Sequence, residues 1–386
     1  MSQKILIVST CPTHPTTAGN RRFILDQTEQ FLSMGHEVYF LFVNLINTKK
    51  QERDYDILSS LKDYWNNRLF IYHQSILQKL CSLFITRYRR FLCNGYNNCD
   101  DRYPYRLHHT INKLDAQYHF DVCLVNYFFL TKALKNIKIP KKGLITHDYF
   151  AYKSILVGDR FVFNNLTANE EAMAMQRSPF IFALNEGEAE YFQRLSPRSM
   201  VLCIYGSFVY RKSPIVGNHN ILFLSGSNPY NINGLQWFLD NIFDSITERF
   251  PNVKLHIGGA ICSVIKNWKF KANVNLVGFV ENSEDFYAMG DVVINPTYQG
   301  TGLKIKTFEA IAHDKVLLTH PHSKVGIYKK DTSPIFASEK AEEWVSYLSR
   351  IWGNKVEINI VKDKNRNYLN EMNAYIASQY DLFLNS

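Results

Sequence analysis

The sequence predicts an α/β protein built as two doubly wound, Rossmann-like domains facing a cleft. Three observations carry this. Short apolar runs alternate with stretches of helical apolar spacing from one end to the other, the pattern of βα units and parallel sheets. The chain has 386 residues, 46% of them hydrophobic, more than one core ordinarily holds at ~250–300 residues. A stretch bearing Gly206, Pro214, Gly217 and Asn218 then divides the alternation in two.

The first domain is expected over residues 1–205. Strands are predicted at 4–9, 37–44, 121–126, 142–146, 178–184 and 201–205, with helices at 21–34, 169–176 and 186–194 between them. Residues 46–118 depart from the pattern and are rich in Tyr, Phe, Arg and Lys. Within them, Ile76, Leu77, Leu80, Leu83, Phe84 and Tyr88 fall at helical spacing among Lys79, Arg87, Arg89 and Arg90. This segment, 76–91, reads either as a basic amphipathic element that touches an anionic membrane surface or as a covering helix with a solvated basic face. A linker is expected at 206–219 and a second domain at 220–365. That domain has strands at 221–225, 253–257, 274–276, 291–295 and 316–319, a loop at 226–233 and a helix at 234–249. Residues 366–386 form a terminal helix expected to pack back across the domains.

The most informative stretch is Gly300-Thr301-Gly302-Leu303-Lys304-Ile305-Lys306-Thr307-Phe308-Glu309. It follows the apolar strand Asp291-Val292-Val293-Ile294-Asn295 and enters a helix. A glycine turn of this kind offers backbone N–H groups and the positive end of a helix dipole, which together attract phosphate. Lys304 and Lys306 add the charge to neutralise a diphosphate, and Glu309 can accept from ribose hydroxyls. The reading is a nucleotide-diphosphate site, of the kind that carries a sugar.

The composition narrows the classes. The chain carries a net charge of +9 with a pI near 9.0, which suits acidic substrates or anionic surfaces. No zinc-ligand spacing or aromatic nucleic-acid signature is present, so nucleic acid is not an expected partner. The seven cysteines are scattered, without a C-x-x-C pair, which suits reduced thiols in the cytoplasm. No run of ~18 apolar residues is present, so a peripheral place at the inner membrane face is the only membrane association expected. Asp100-Asp101 is read as solvated, Trp237 and Phe238 as core, and Glu186 and Glu188 as complements to a helix dipole. Arg21 and Arg22 read either as phosphate or acceptor contacts or as a solvated first turn.

These motifs resemble the GT-B glycosyltransferases, especially the family-4-like enzymes of surface polysaccharide synthesis. The matching pieces are Phe223-Leu224-Ser225-Gly226-Ser227, Asn231 to Leu239, Leu276 to Val280 and Gly300 to Ala312, with looser matches at Ile145 to Asp148 and Ala183 to Glu188. The resemblance implies a metal-independent, retaining transfer of a sugar from a UDP- or GDP-type donor to a glycan or lipid-linked acceptor, with no further cofactor. It implies that Lys304 and Lys306 meet the diphosphate, that Gly302 and Leu303 supply N–H groups, and that Glu309 binds ribose. It further implies that Ser225, Gly226 and Ser227 approach the phosphates by their backbone, that Val280 reads the base edge, and that Gly19 lets the first loop near the donor.

His147 matches a histidine beside the donor sugar, and Asp148 is the candidate for proton transfer to the acceptor. The plainer reading of the pair is a strand end bonded to a neighbouring loop. Two departures stand out. Thr301 stands where relatives carry a sugar-contacting carboxylate, and Asn228, Asn231 and Asn233 occupy a stretch that is basic in relatives. A GT-B-shaped sugar-nucleotide epimerase and a non-catalytic nucleotide- or glycan-binding protein are the competing readings. Lys306→Ala is expected to weaken diphosphate binding with little effect on the melting temperature.

Overall fold

A computed structural model describes residues 2–16, 19–45, 51–92, 98–151, 166–300, 302–303 and 305–386. The chain divides into two compact units, one comprising 1–207 with 376–386 and the other 208–375.

The first unit holds a parallel sheet of seven strands: β1 (Lys4–Ser9), β2 (Glu37–Asn44), β3 (Leu69–His73), β4 (Val122–Asn126), β5 (Lys141–Ile145), β6 (Phe180–Ala183) and β7 (Met200–Cys203). Their order is β3-β2-β1-β4-β5-β6-β7. β1 is wholly apolar from Ile5 to Val8 because it is buried on both faces, between β2 and β4. The atypical segment supplies β3, which the sequence pattern does not reveal, and the helices Gln51–Trp65, Ile76–Leu92 and Leu107–Tyr118. Leu69-Phe70-Ile71 at this sheet edge lacks the uniform burial of the central strands.

The second unit holds a parallel sheet of six strands, β8 (Asn220–Leu224), β9 (Lys254–Gly258), β10 (Val274–Gly278), β11 (Val292–Asn295), β12 (Val316–Thr319) and β13 (Phe336–Ala337), in the order β10-β9-β8-β11-β12-β13. The helix after β8 starts at Pro229, earlier than the expected 234. Asn228 caps it, its side chain accepting from the Asn231 N–H, and Pro229 takes the first helical position, where a missing N–H costs nothing. The terminal helix runs Lys355–Asn385, starting well before 366, and its residues are divided between the two units.

Several polar groups are buried for structural ends. Asp291 accepts from the N–H groups of Val216 and Gly217, at 3.0 and 2.7 Å, and so pins the preceding segment. Lys362 donates to the Ser213 carbonyl at 2.7 Å and pairs with buried Asp314 at 3.5 Å. Asp100 is not the solvated residue expected. Arg177 donates to it at 2.6 and 3.1 Å and Lys132 lies at 3.3 Å, because the fold brings Arg177 beside it across a long sequence gap. Among the described residues, no helix is long and apolar enough to cross a membrane.

Candidate functional site

Ligands of doubly wound sheets sit beyond the carboxyl ends of the strands, where the strand order reverses. In the second unit that point lies between β8 and β11, which pair through Val292 with Ile221 and Val293 with Leu222. The loop after β8 is Ser225-Gly226-Ser227-Asn228, and the loop after β11 carries Gly300, Gly302 and Leu303. These are the two segments singled out from sequence, and the topology sets them side by side.

Their link is specific. Lys306, in the first turn of the helix Ile305–Ala312, donates to the side-chain oxygen of Asn231. Asn231 is buried and donates in turn to the Gly226 carbonyl at 3.0 Å. The Lys306 ammonium also lies 5.6 Å from the centre of the Phe223 ring. The ammonium from one loop-helix junction is thus held against the other. The asparagine stretch that lacks a basic residue receives its charge from Lys306 across the switch point. Glu309 lies one turn further along the same helix face, half-buried like Lys306. Lys304 lies outside the described residues, as does Thr301.

Close backbone approach explains the glycines. Gly259 has φ +94°, and a Cβ there would stand 2.4 Å from the Ser225 carbonyl oxygen. The Ser225 N–H donates to the Gly258 carbonyl at 2.9 Å and is therefore committed to the sheet, so of the three loop residues that the resemblance aims at phosphate, Gly226 and Ser227 remain the candidates. Gly300 has φ +101° and packs on the Tyr230 ring. Its carbonyl is met by the His322 ring nitrogen at 2.9 Å, which fixes the turn. Gly302 also has a positive φ of 80°, and Leu303 accepts from the Ile305 N–H at 3.0 Å. Val280 is half-buried beside Gly258, and Phe279 next to it is 83% exposed, an aromatic face left open at the end of β10.

In the first unit the order reverses between β1 and β4. Gly19 begins the helix Gly19–Ser33, and Asn20 donates to the Tyr127 hydroxyl at 2.9 Å. Tyr127 stacks on His147 with ring centres 4.3 Å apart. Both hold positive φ, 75° and 66°, a conformation that costs non-glycine residues of order 1–3 kcal/mol and persists only where the surroundings enforce it. Sequence reasoning missed Tyr127, Asn126 and Asn20, since a positive φ at a tyrosine leaves no mark in composition.

The His147 proton can be placed. Its Nε2 lies 2.7 Å from Asn126 Oδ1, while the Asn126 amide nitrogen donates to the Val8 carbonyl at 3.4 Å. The Asn126 oxygen therefore faces the ring, Nε2 carries the hydrogen, and Nδ1 keeps its lone pair. Burial pushes the imidazole down to about 3, so it is neutral near pH 7. Asp148 accepts from the Tyr149 N–H at 2.9 Å. Buried Glu171 fastens the following residues, accepting from the Phe150 and Ala151 N–H groups and the Tyr191 hydroxyl. Arg21 donates to the Pro15 carbonyl at 3.0 Å, and Arg22 pairs with Asp26 at 2.7 Å. Glu188 is bonded to Asn185 and Leu184, a structural role. Phe238 is core, whereas Trp237 is half-buried with its ring edge-on to His320.

Two units, each built on a parallel doubly wound sheet, are the architecture of the GT-B fold. Residues 218–354 match the family of glycosyl transferases group 1. The whole chain superposes on the crystal structure of TarM with a TM-score of 0.67 at 11% identity, covering 99% of each chain. It superposes on Anabaena HepE in complex with UDP and glucose with a TM-score of 0.63 at 13% identity, covering 100% of each. It is 22% identical over 333 residues, 80% of each chain, to an uncharacterized 44.6 kDa protein of the cps region of Klebsiella pneumoniae. The chain thus has the GT-B fold of these structures, and residues 218–354 of its second unit match that glycosyltransferase family.

Proposed function

We propose that the chain moves a sugar from a nucleotide-diphosphate donor of UDP or GDP type to a glycan or lipid-linked acceptor. The reaction is metal-independent, proceeds with retention and takes place in the cytoplasm. The observation that carries this is the Lys306–Asn231–Gly226 link, which fixes an ammonium at the reversal point of the second sheet, against the glycine loop. The solved complexes of HepE with UDP and glucose, and of S. aureus TarM with UDP and alpha-GlcNAc-glycerol, support a sugar nucleotide as donor. The cps-region relative supports a polysaccharide acceptor.

Breaking the donor's glycosidic bond sends negative charge onto the diphosphate. A fixed ammonium and the start of the helix Ile305–Ala312 stabilise that charge as it develops, without reorganising at the moment of reaction. One such group is worth about 3–4 kcal/mol of barrier. Lys304, two residues before Lys306, adds a second cation, and the Gly226, Ser227, Gly302 and Leu303 N–H groups complete the cradle. Glu309 holds ribose and Val280 the base. In the first unit neutral His147 has no proton at Nδ1, so it accepts from a sugar hydroxyl and orients it. With retention the acceptor's proton passes to the departing diphosphate, and Asp148 as base belongs to the inverting alternative.

The test incubates the purified chain with UDP-, GDP- and dTDP-sugars, with and without glycan acceptors, in EDTA. Transfer that needs the acceptor and survives EDTA is the expected result. Donor conversion without acceptor would instead make it an epimerase, and tight nucleotide binding without turnover a non-catalytic binding protein.

A further inference from the structure

The helix Ile76–Leu92 presents its apolar side to solvent. Ile76, Leu80, Phe84 and Tyr88 recur every four residues and so form one stripe, and they are 75%, 57%, 73% and 59% exposed. Leu77 beside them is 75% exposed. From Ile76 to Leu80 the residue that is half-buried is Gln78, and Ser82 one turn on is half-buried too, so the helix leans on the protein by its polar flank. A covering helix would do the reverse. Scattered exposed apolar residues are ordinary, but a continuous row of large ones on one helix marks a surface meant to be covered.

We infer that this helix face docks on an anionic lipid surface. Between Ile76 and Leu92 there is no acidic residue and there are four basic ones, Lys79, Arg87, Arg89 and Arg90. Helical periodicity sets positions 79, 87 and 90 along one border of the apolar stripe, which is the arrangement of interfacial helices whose aromatic and aliphatic residues enter the headgroup boundary while cations meet lipid phosphates. A second copy of the chain fits less well. A symmetric contact through this face would bring the basic borders of two copies together, like charge against like, in a protein whose net charge is already +9. The docking rests on this helix alone and stands whether or not the transfer reaction is as proposed.

The full chain is mixed with vesicles of phosphatidylcholine, alone or with phosphatidylglycerol, and sedimented at low and high salt. Binding should rise with the anionic lipid and fall with salt. Phe84→Glu, and separately Arg87→Gln with Arg90→Gln, should each lower the bound fraction roughly tenfold. Melting temperature and nucleotide affinity should be unchanged, since the stripe residues are more than half exposed. Binding that ignores lipid charge would overturn the inference. So would a wild-type dimer in light scattering that Phe84→Glu makes monomeric, which would mark the face as a contact between copies. Loss of nucleotide binding with vesicle binding intact would count against the donor site and leave the docking face standing.

Discussion

Lys306→Met tests the centre of the donor site. Methionine keeps an unbranched apolar stem and removes the ammonium that faces Asn231 and the Phe223 ring. Two consequences follow from the geometry. Asn231 is 5% exposed, and its oxygen loses the cationic donor. Leaving a buried acceptor without that partner costs about 1–3 kcal/mol. At about 2–4 °C per kcal/mol for a domain of this size, the melting temperature should fall by roughly 2–12 °C. This differs from the sequence-based expectation of an unchanged melting temperature, because the sequence does not reveal that Lys306 is bonded to a buried side chain. The diphosphate loses one charge-assisted contact, about 1.5–3 kcal/mol, hence roughly a 10- to 150-fold weaker Kd for UDP or GDP. Calorimetric titration and thermal melting of the same preparation measure both. A lowered melting temperature with an unaltered Kd would show that the ammonium only supports the loop, and the electrostatic account of the donor site would be wrong.

Gly259→Ala should destabilise the second unit by about 2–4 kcal/mol, since a methyl group would meet the Ser225 carbonyl at 2.4 Å on a left-handed backbone; a variant that melts with the wild type would refute the loop packing. Asn126→Ala removes the acceptor of His147 Nε2, so nitrogen NMR should show a single imidazole tautomer in the wild type and a mixture in the variant. Stability should fall on acidification. Burial holds His147 at about 3 and His313 at about 4, below the ordinary value near 6.5, so the unfolded chain takes up protons first. Their contribution is full above ~6.5 and is lost as pH drops toward ~4, at up to ~1.4 kcal/mol per pH unit for each ring. Urea unfolding at about pH 7 and about pH 5 reads the slope, and His313→Gln should flatten it; an identical slope would remove that ring from the account.

Much of the fold is written locally. Ile5-Leu6-Ile7-Val8 and Val292-Val293-Ile294 are apolar throughout because both faces of their sheets are covered, and that pattern survives in sequence. The Gly300 turn and its lysines are likewise legible, since a glycine at positive φ before a helix has a compositional signature. Strand β3 is not legible, because an edge strand with partly exposed residues lacks the uniform burial that marks its neighbours. Nor is the start of the helix at Pro229 where the asparagine-rich stretch looks like loop, although Asn228-Pro229 is a cap-and-first-turn signal that a closer reading would use.

What the sequence alone determined is the inventory: two βα repeats, glycine turns after particular strands, and lysines beside one of them. What only the tertiary structure decided is adjacency. Strand order is set by which buried faces match across long sequence gaps, and it is this order that puts β8 against β11 and carries Lys306 to Asn231, 75 residues away. The same cause brings Asn126 beside Tyr127 and His147, the latter two at positive φ, because pairing of β4 with β5 aligns two strand ends that local propensity could not relate.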